Sequence, residues 1–259
     1  MNITSQKGLT VIERDALLSH LQSLLEPERF KDYGPNGLQV EGKTTIRKVV
    51  TGVTASLALI DAAVAAGADA ILVHHGLFWR GQDGRVTGWM KQRLAQLIRH
   101  DINLIAYHLP LDAHPGLGNN AQWGALLGLS ADETFGEQSL GFIGAAQELT
   151  RVDWLATRIQ ERMQRTPVLI EGDGRPLKRI AWCSGGAQSY FEAAIAAGAD
   201  AFLTGEISEP QAHYARESGV AFIACGHHAS ERYGVQALGR HLANELGIQH
   251  QFIEIDNPA

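Results

Sequence analysis

Histidine gathers in three short stretches, His74-His75, His108 with His114, and His227-His228, which hold six of the 11 histidines in the chain. A carboxylate stands four positions beyond two of them, Asp112 after His108 and Glu231 after His227. Neutral imidazole and carboxylate together suit Zn, Mn, Fe, Co or Ni, and a donor set without thiolates belongs to a catalytic or exchangeable centre rather than a closed structural zinc site. Consecutive strand residues point to opposite faces, so His74 and His75 address two ions, or one ion and a neighbouring group, more readily than one ion together. His227 and Glu231 at a spacing of four share one helical face, as the two histidines of H-E-x-x-H do, although the residues between them differ. Pro110 favours an irregular loop for His108-Leu-Pro-Leu-Asp112. Each piece alone is a common surface feature. Their weight comes from where the chain places them.

That placement follows from a repeat. Asp61-Ala-Ala-Val-Ala-Ala-Gly-Ala-Asp-Ala-Ile-Leu-Val returns as Glu192-Ala-Ala-Ile-Ala-Ala-Gly-Ala-Asp-Ala-Phe-Leu-Thr, 131 residues later. In both copies an Ala-rich helix (57–66, 190–197) ends at a glycine suited to the left-handed C-terminal position, Gly67 or Gly198, and an apolar strand follows (70–73, 201–204). A β-rich run precedes each helix, Lys48–Thr54 and Arg179–Ser184, so each copy reads as β-α-β and calls for a parallel sheet covered by helices. A third pair of elements continues the pattern: helix 89–100 with strand 103–107, and helix 210–218 with strand 220–225. His108 and His227 then fall just past the carboxyl ends of core strands, where open α/β sheets bind ligands. The fold class is therefore α/β, from an internal duplication. The pattern breaks near Ser130-Ala-Asp-Glu-Thr-Phe-Gly-Glu, which puts the division at 1–130 and 131–259. A further helix is expected over 148–165, starting near Thr150 with Asp153 in its first turn.

Composition excludes several classes. Lys and Arg total 22 against 28 Asp and Glu, a net charge of -6 without a basic run, which lacks the footprint of a nucleic-acid binder. Leu57 to Val73 is the most apolar stretch, but Asp61 and Asp69 interrupt it and it falls short of the ~20 residues that cross a bilayer. The leading MNITSQKG has no apolar segment of a secretory signal, so a cytoplasmic protein without a membrane anchor is expected. Cys183 and Cys225 are too few for a disulfide framework and are expected to be structural.

Five ordered blocks carry a family resemblance: Pro35-Asn-Gly-Leu-Gln-Val-Glu-Gly42, Val73-His-His-Gly-Leu-Phe-Trp79, Tyr107-His-Leu-Pro-Leu-Asp-Ala-His114 with Gly118-Asn-Asn120, Thr204-Gly-Glu-Ile-Ser-Glu209, and Gly226-His-His-Ala-Ser-Glu231. Together they resemble the YbgI, or Nif-three-like, family of GTP cyclohydrolase I type 2 homologues over nearly the whole chain. The resemblance implies two similar α/β domains with a dinuclear metal site in the cleft between them, the C-terminal segment returning His227 and Glu231 to that cleft, and a ring-shaped hexamer. On the family's pattern the ligands fall on His74, His75, His108, Asp112, His227 and Glu231, the six already reached by spacing.

Two divalent ions so held would make the chain a metal-dependent hydrolase, lowering the pKa of a water from 15.7 toward about 7. The substrate would be a nucleotide or another small phosphorylated molecule. A metal carrier, or a ring-shaped scaffold without turnover, is the alternative. Glu206 occupies the position of His75 at the 131-residue offset and is expected to act as a base or proton carrier, with His213 on the next helix as a second candidate. Ser184-Gly-Gly186 joins a strand to a helix start and could offer backbone N–H groups to an anion. Asn36-Gly37 reads as a turn, and Trp79 and Trp89 as packing or the floor of a pocket.

Overall fold

The computed structural model describes residues 10–259; the MNITSQKG segment lies outside the described residues. Contacts divide the chain into two units, residues up to His108 with Val235–Ile255, and Leu109–Gly234 with Asp256–Ala259.

The first unit runs β1 (Ile12–Glu13), α1 (Arg14–Leu25), β2 (Gly37–Val40), β3 (Thr45–Ile46), β4 (Lys48–Thr54), α2 (Leu57–Ala65), β5 (Ala70–His75), α3 (Gly88–Arg99) and β6 (Asn103–Ala106). The second runs α4 (Leu109–Ala113), α5 (Asn119–Leu127), β7 (Glu133–Phe135), β8 (Gly141–Ala145), α6 (Val152–Met163), β9 (Val168–Ile170), β10 (Arg179–Trp182), α7 (Phe191–Ala196), β11 (Ala201–Thr204), α8 (Glu209–Ser218), β12 (Ala221–Ala224) and α9 (His227–Ser230). The chain closes with α10 (Arg232–Leu246) and β13 (Gln249–Phe252).

Five strands in the order β13-β4-β5-β6-β2 make the first sheet, with β13, β4, β5 and β6 parallel and β2 antiparallel at the edge. Six in the order β7-β8-β10-β11-β12-β9 make the second, where β10, β11 and β12 are parallel and β8 and β9 flank them antiparallel. Each parallel core is an apolar run buried on both faces, as helix-covered parallel strands require. Val50, Ile71, Val73 and Leu104 pack on Leu59, Ile60 and Leu97 in the first unit. In the second, Ile180, Trp182, Leu203 and Ile223 pack on Trp123, Leu155 and Ile159.

The repeated Gly-Ala-Asp tripeptide does the same work twice. Gly67 and Gly198 adopt φ of 69° and 81°, which end the preceding helix at little steric cost. Two residues later the Asp69 carboxylate accepts the N–H groups of Arg47 and Lys48 at 2.9 and 3.1 Å. Asp200 accepts those of Lys178 and Arg179 at 2.8 and 3.1 Å. Each thus anchors the start of the neighbouring strand.

Three local expectations change. The 108–112 segment is helical rather than irregular, because Pro110 sits in the first turn of α4, where a missing N–H costs nothing. The break in the pattern after Ser130 holds a strand that the sequence did not declare, β7, which leads into β8, the partner of β10. The contact division falls at His108/Leu109, where the sequence repeat suggests 130/131, as Trp123 and Leu127 pack in the second unit's core, and β13, hydrogen-bonded to β4, draws Val235–Ile255 into the first unit. Among the described residues no helix is long and apolar enough to cross a membrane.

Candidate metal centre

β5 carries His74 and His75 as its last two residues, two residues further than the apolar run implies, and β6 delivers His108 just beyond its carboxyl end. One ring nitrogen from each of the three lies within 4.8 Å of the others. The His74 ring centroid is 4.6 Å from that of His75 and 4.9 Å from that of His108. Three ring nitrogens this close form a donor set that could hold one positive ion.

Hydrogen bonds set the tautomers. His74 is fully buried, and its Nδ1 lies 3.1 Å from the Tyr107 carbonyl oxygen, which can only accept; the proton is therefore on Nδ1 and the lone pair on Nε2. His108 donates from Nδ1 to Asp32 Oδ1 at 2.7 Å, leaving its Nε2 as the donor atom toward an ion. His75 Nδ1 meets the Thr54 hydroxyl at 3.2 Å. A carboxylate or carbonyl behind a ligating imidazole is the usual outer support of a metal site, fixing ring orientation and raising basicity.

Asp32 is the residue that spacing missed, 76 positions before His108. Its Oδ1 also accepts the Tyr33 N–H at 2.6 Å, and its Oδ2 accepts Asn36 Nδ2 at 2.9 Å. Burial pushes this carboxyl upward, but the bonds from His108, Asn36 and Tyr33 outweigh it and hold the group below the ordinary carboxylate range. Asn36 in turn accepts the His108 backbone N–H at 2.8 Å. Asn36, expected in a turn, instead stands directly before β2 and there positions the base of His108.

The second unit presents Asp112, His227 and Glu231. Asp112 and Glu231 are both buried, and a carboxylate oxygen of one lies within 4.8 Å of one of the other. Asp112 Oδ1 accepts Asn119 Nδ2 at 2.9 Å and the Ser184 hydroxyl at 3.2 Å. α9 brings His227 Nε2 to 3.2 Å from Glu231 Oε2. Glu206, just past β11, meets His227 Nδ1 at 2.6 Å, a second carboxylate behind an imidazole. Burial lowers the His227 pKa, yet the Glu231 and Glu206 carboxylates more than reverse this and push it up to about 9. His213 stands elsewhere on α8, its ring largely exposed and 4.0 Å from Glu209.

Ser184-Gly-Gly186 serves this donor set rather than an anion. The Ser184 N–H is taken by Asn120 Oδ1 at 2.8 Å and the Gly185 N–H by Ser230 Oγ at 2.9 Å. A side chain at Gly185 would collide with the Glu231 carboxylate, so glycine leaves room for it. Cys183 and Cys225 are buried free thiols, and burial pushes the pKa of both upward. His114 accepts the N–H of Leu117 at 2.9 Å within its own turn.

A parallel-cored α/β chain with clustered His, Asp and Glu that could hold a metal ion is the kind of protein this fold and these side chains define. The chain belongs to the Duf34/NIF3 (NGG1p interacting factor 3) family, whose profile matches residues 12–258. It is 52% identical over 249 residues to the Neisseria meningitidis serogroup A protein named GTP cyclohydrolase 1 type 2 homolog, covering 96% of this chain and 100% of that one. A Pseudomonas aeruginosa protein of the same name is 49% identical over 251 residues, 96% of this chain and 99% of its own. The solved structure of protein ybgI, described as of unknown function, superposes with a TM-score of 0.87 at 45% identity, over 96% of this chain and 100% of the other.

Proposed function

We propose that this chain binds two divalent ions per subunit through His74, His75, His108, Asp112, His227 and Glu231, and acts as a metal-dependent hydrolase of the kind its relatives' name describes. The observation that carries the reading is the backing of the imidazoles. Tyr107 and Asp32 take the Nδ1 protons of His74 and His108, which directs Nε2 lone pairs into a group of three nitrogens within 4.8 Å. Six donors are more than one four-coordinate ion needs, and two ions sharing them would keep open positions for substrate. The family resemblance supports the same reading and, with it, a ring-shaped hexamer.

Bound there, the ions would supply Lewis acidity and an acidified water. The chain's own groups do the rest. Asp32 and Glu206 hold the Nδ1 protons of His108 and His227 and so fix both rings. Glu206, whose side chain is 44% exposed, can also exchange a proton with solvent. Of the two proton carriers expected from the sequence, it is the one in contact with a metal donor, which favours it over His213.

The test is turnover of GTP and a panel of small phosphoesters by metal-stripped protein refilled with Mn or Zn, with Asp112→Ala as control. Metal-dependent loss of the guanine C8 carbon or of phosphate, absent from the variant, is the expected result. Two bound ions without turnover on any substrate would overturn the hydrolase and leave metal carriage. Full metal occupancy in both Asp112→Ala and Glu231→Ala would overturn the six-donor set.

A further inference from the structure

Beside the three imidazoles of the first unit lies an open recess of about 370 Å³, lined by Tyr33, Gly34 and Pro35 on one loop and by Phe78, Trp79 and Arg80 on another. It contains three large aromatic side chains in a short span, with Tyr33 55% and Phe78 36% exposed and Trp79 half-buried. Single exposed aromatics are ordinary on a protein surface; a group of them around a concavity marks a binding site.

The recess adjoins the donor set directly. The Trp79 ring stands edge-on to His108, centroids 5.0 Å apart at 89°, and is 5.9 Å from His75. Tyr33 approaches the same His108 ring at 6.1 Å and 65°. His74, His108 and Trp79 also line a small neighbouring cavity. Its walls are held in place: the Arg80 N–H donates to the Tyr33 carbonyl at 2.6 Å, and the Arg80 guanidinium donates to the Asp32 carbonyl at 2.8 Å. Trp79 N–H is held by Gln82 Oε1 at 3.1 Å. A side chain at Gly34 would run into the Phe78 carbonyl, so the close approach of the two loops needs glycine. Little ordering is left to do when a ligand enters, which favours affinity.

The volume sits at the low end of small-molecule pockets, room for a ring system and its substituent rather than a folded segment. Aromatic faces hold flat heterocycles by stacking. The Arg80 guanidinium has five donors and one is engaged by Asp32, which leaves others for an anion.

We infer that this recess is the subsite that stacks a flat heteroaromatic ring of the substrate, with Tyr33 and Trp79 as walls and Arg80 meeting an anionic group on the same molecule. The inference rests on the reading of His74, His75 and His108 as the reacting end of the site. It adds the residues that would select an anionic substrate by its flat ring.

Calorimetric binding tests it on the full chain, metal-free and metal-loaded, with three probes: GMP, ribose 5-phosphate without the ring, and guanosine without the anion. GMP should bind at least tenfold tighter than either. Tyr33→Ala and Trp79→Leu should each weaken GMP by about five- to hundredfold while leaving ribose 5-phosphate binding and metal content unchanged, and Trp79→Phe should restore most of the loss. Arg80→Gln should erase the preference for GMP over guanosine. Equal binding of GMP and ribose 5-phosphate, or both aromatic variants matching the parent, would overturn the inference even if metals load and turnover occurs. A changed subunit number in Tyr33→Ala by light scattering, with GMP binding intact, would also overturn it, because the aromatics would then belong to an interface. Ring-dependent GMP binding in a protein that takes up no metal would sustain the inference and remove the metal reading instead.

Discussion

Replacing Asp32 by Asn tests the donor set through a residue that touches no ion. The side chain is 4% exposed, so solvent does little to screen its 2.7 Å bond to His108 Nδ1. Loss of a hydrogen bond to a charged group costs about 1.5–3 kcal/mol, which at 1.4 kcal/mol per decade is about ten- to hundredfold in affinity. That matches the loss usually seen when the outer partner of a metal-bound histidine is removed.

An amide at position 32 cannot rescue the arrangement. Its oxygen could still face His108 and Tyr33, but its NH₂ would then meet the Asn36 NH₂ that now donates to Asp32 Oδ2. Turning Asn36 over would forfeit the bond from the His108 backbone N–H to Asn36 Oδ1. Zinc competition against a chromophoric chelator on the metal-free chain should show the weakening, with thermal unfolding of the same samples as a check on the fold. Glu206→Gln at His227 should cost less, about threefold, because that carboxylate is 44% exposed and water competes with it. An Asp32→Asn protein that folds and binds zinc within twofold of the parent would mean that His108 is not a ligand.

Three further outcomes follow from contacts in the two units. With the metal-free His227 pKa pushed up to about 9 by Glu231 and Glu206, a proton must leave before an ion can bind; zinc affinity should therefore rise with pH from 6 toward 9, by up to about tenfold per unit from this residue, and a flat profile in the same competition assay would refute it. Asp69 is raised by burial but brought below its ordinary value by Lys43 and the N–H groups of Arg47 and Lys48. Its stabilising contribution is complete above the unfolded value near about 3.9 and is lost as pH falls through the lower folded value, so Asp69→Asn should be less stable at neutral pH and should lose less on acidification below about pH 4, read by urea unfolding at each pH. At Gly124, in α5, an added Cβ would lie 2.8 Å from Trp182 Cζ2 in the core; Gly124→Ala should lose about 1–3 kcal/mol by urea denaturation from overpacking, and an unchanged midpoint would show that the ring can shift.

The candidate donors were legible because His, Asp and Glu are the residue types that suit a metal and a parallel sheet puts them at strand ends. His74, His75, His108 and His227 all lie where an apolar run stops, so hydropathy and residue type converge on them. The Gly-Ala-Asp repeat was legible for the same reason: Gly67 and Gly198 end helices, and Asp69 and Asp200 start strands. The supporting groups were not. Asp32 lies in a loop with no periodicity and meets His108 only through folding, across 76 residues. The Ser184 and Gly185 amides look available in sequence, yet the Asn120 and Ser230 side chains occupy them. β7 and β8 escaped notice because they are three and five residues long, one polar and one glycine-rich, too short for alternation to declare itself.

The two β-α-β modules share a scaffold but not a layout of chemistry. At the end of the second strand of the first module stands His75, a candidate ligand; 131 positions on stands Glu206, which instead backs His227 from Nδ1. In the first module the same supporting role falls to Asp32, from a loop that precedes the sheet and has no counterpart in the repeat. The Nδ1 support of an imidazole is therefore supplied twice, at 2.7 and 2.6 Å, by carboxylates of unrelated position. Descent of both from one repeat would have left them in register, whereas a demand for oriented imidazoles constrains only the distance and the acceptor. A carboxylate behind an imidazole is the outer support that a divalent ion held by His108 or His227 would use.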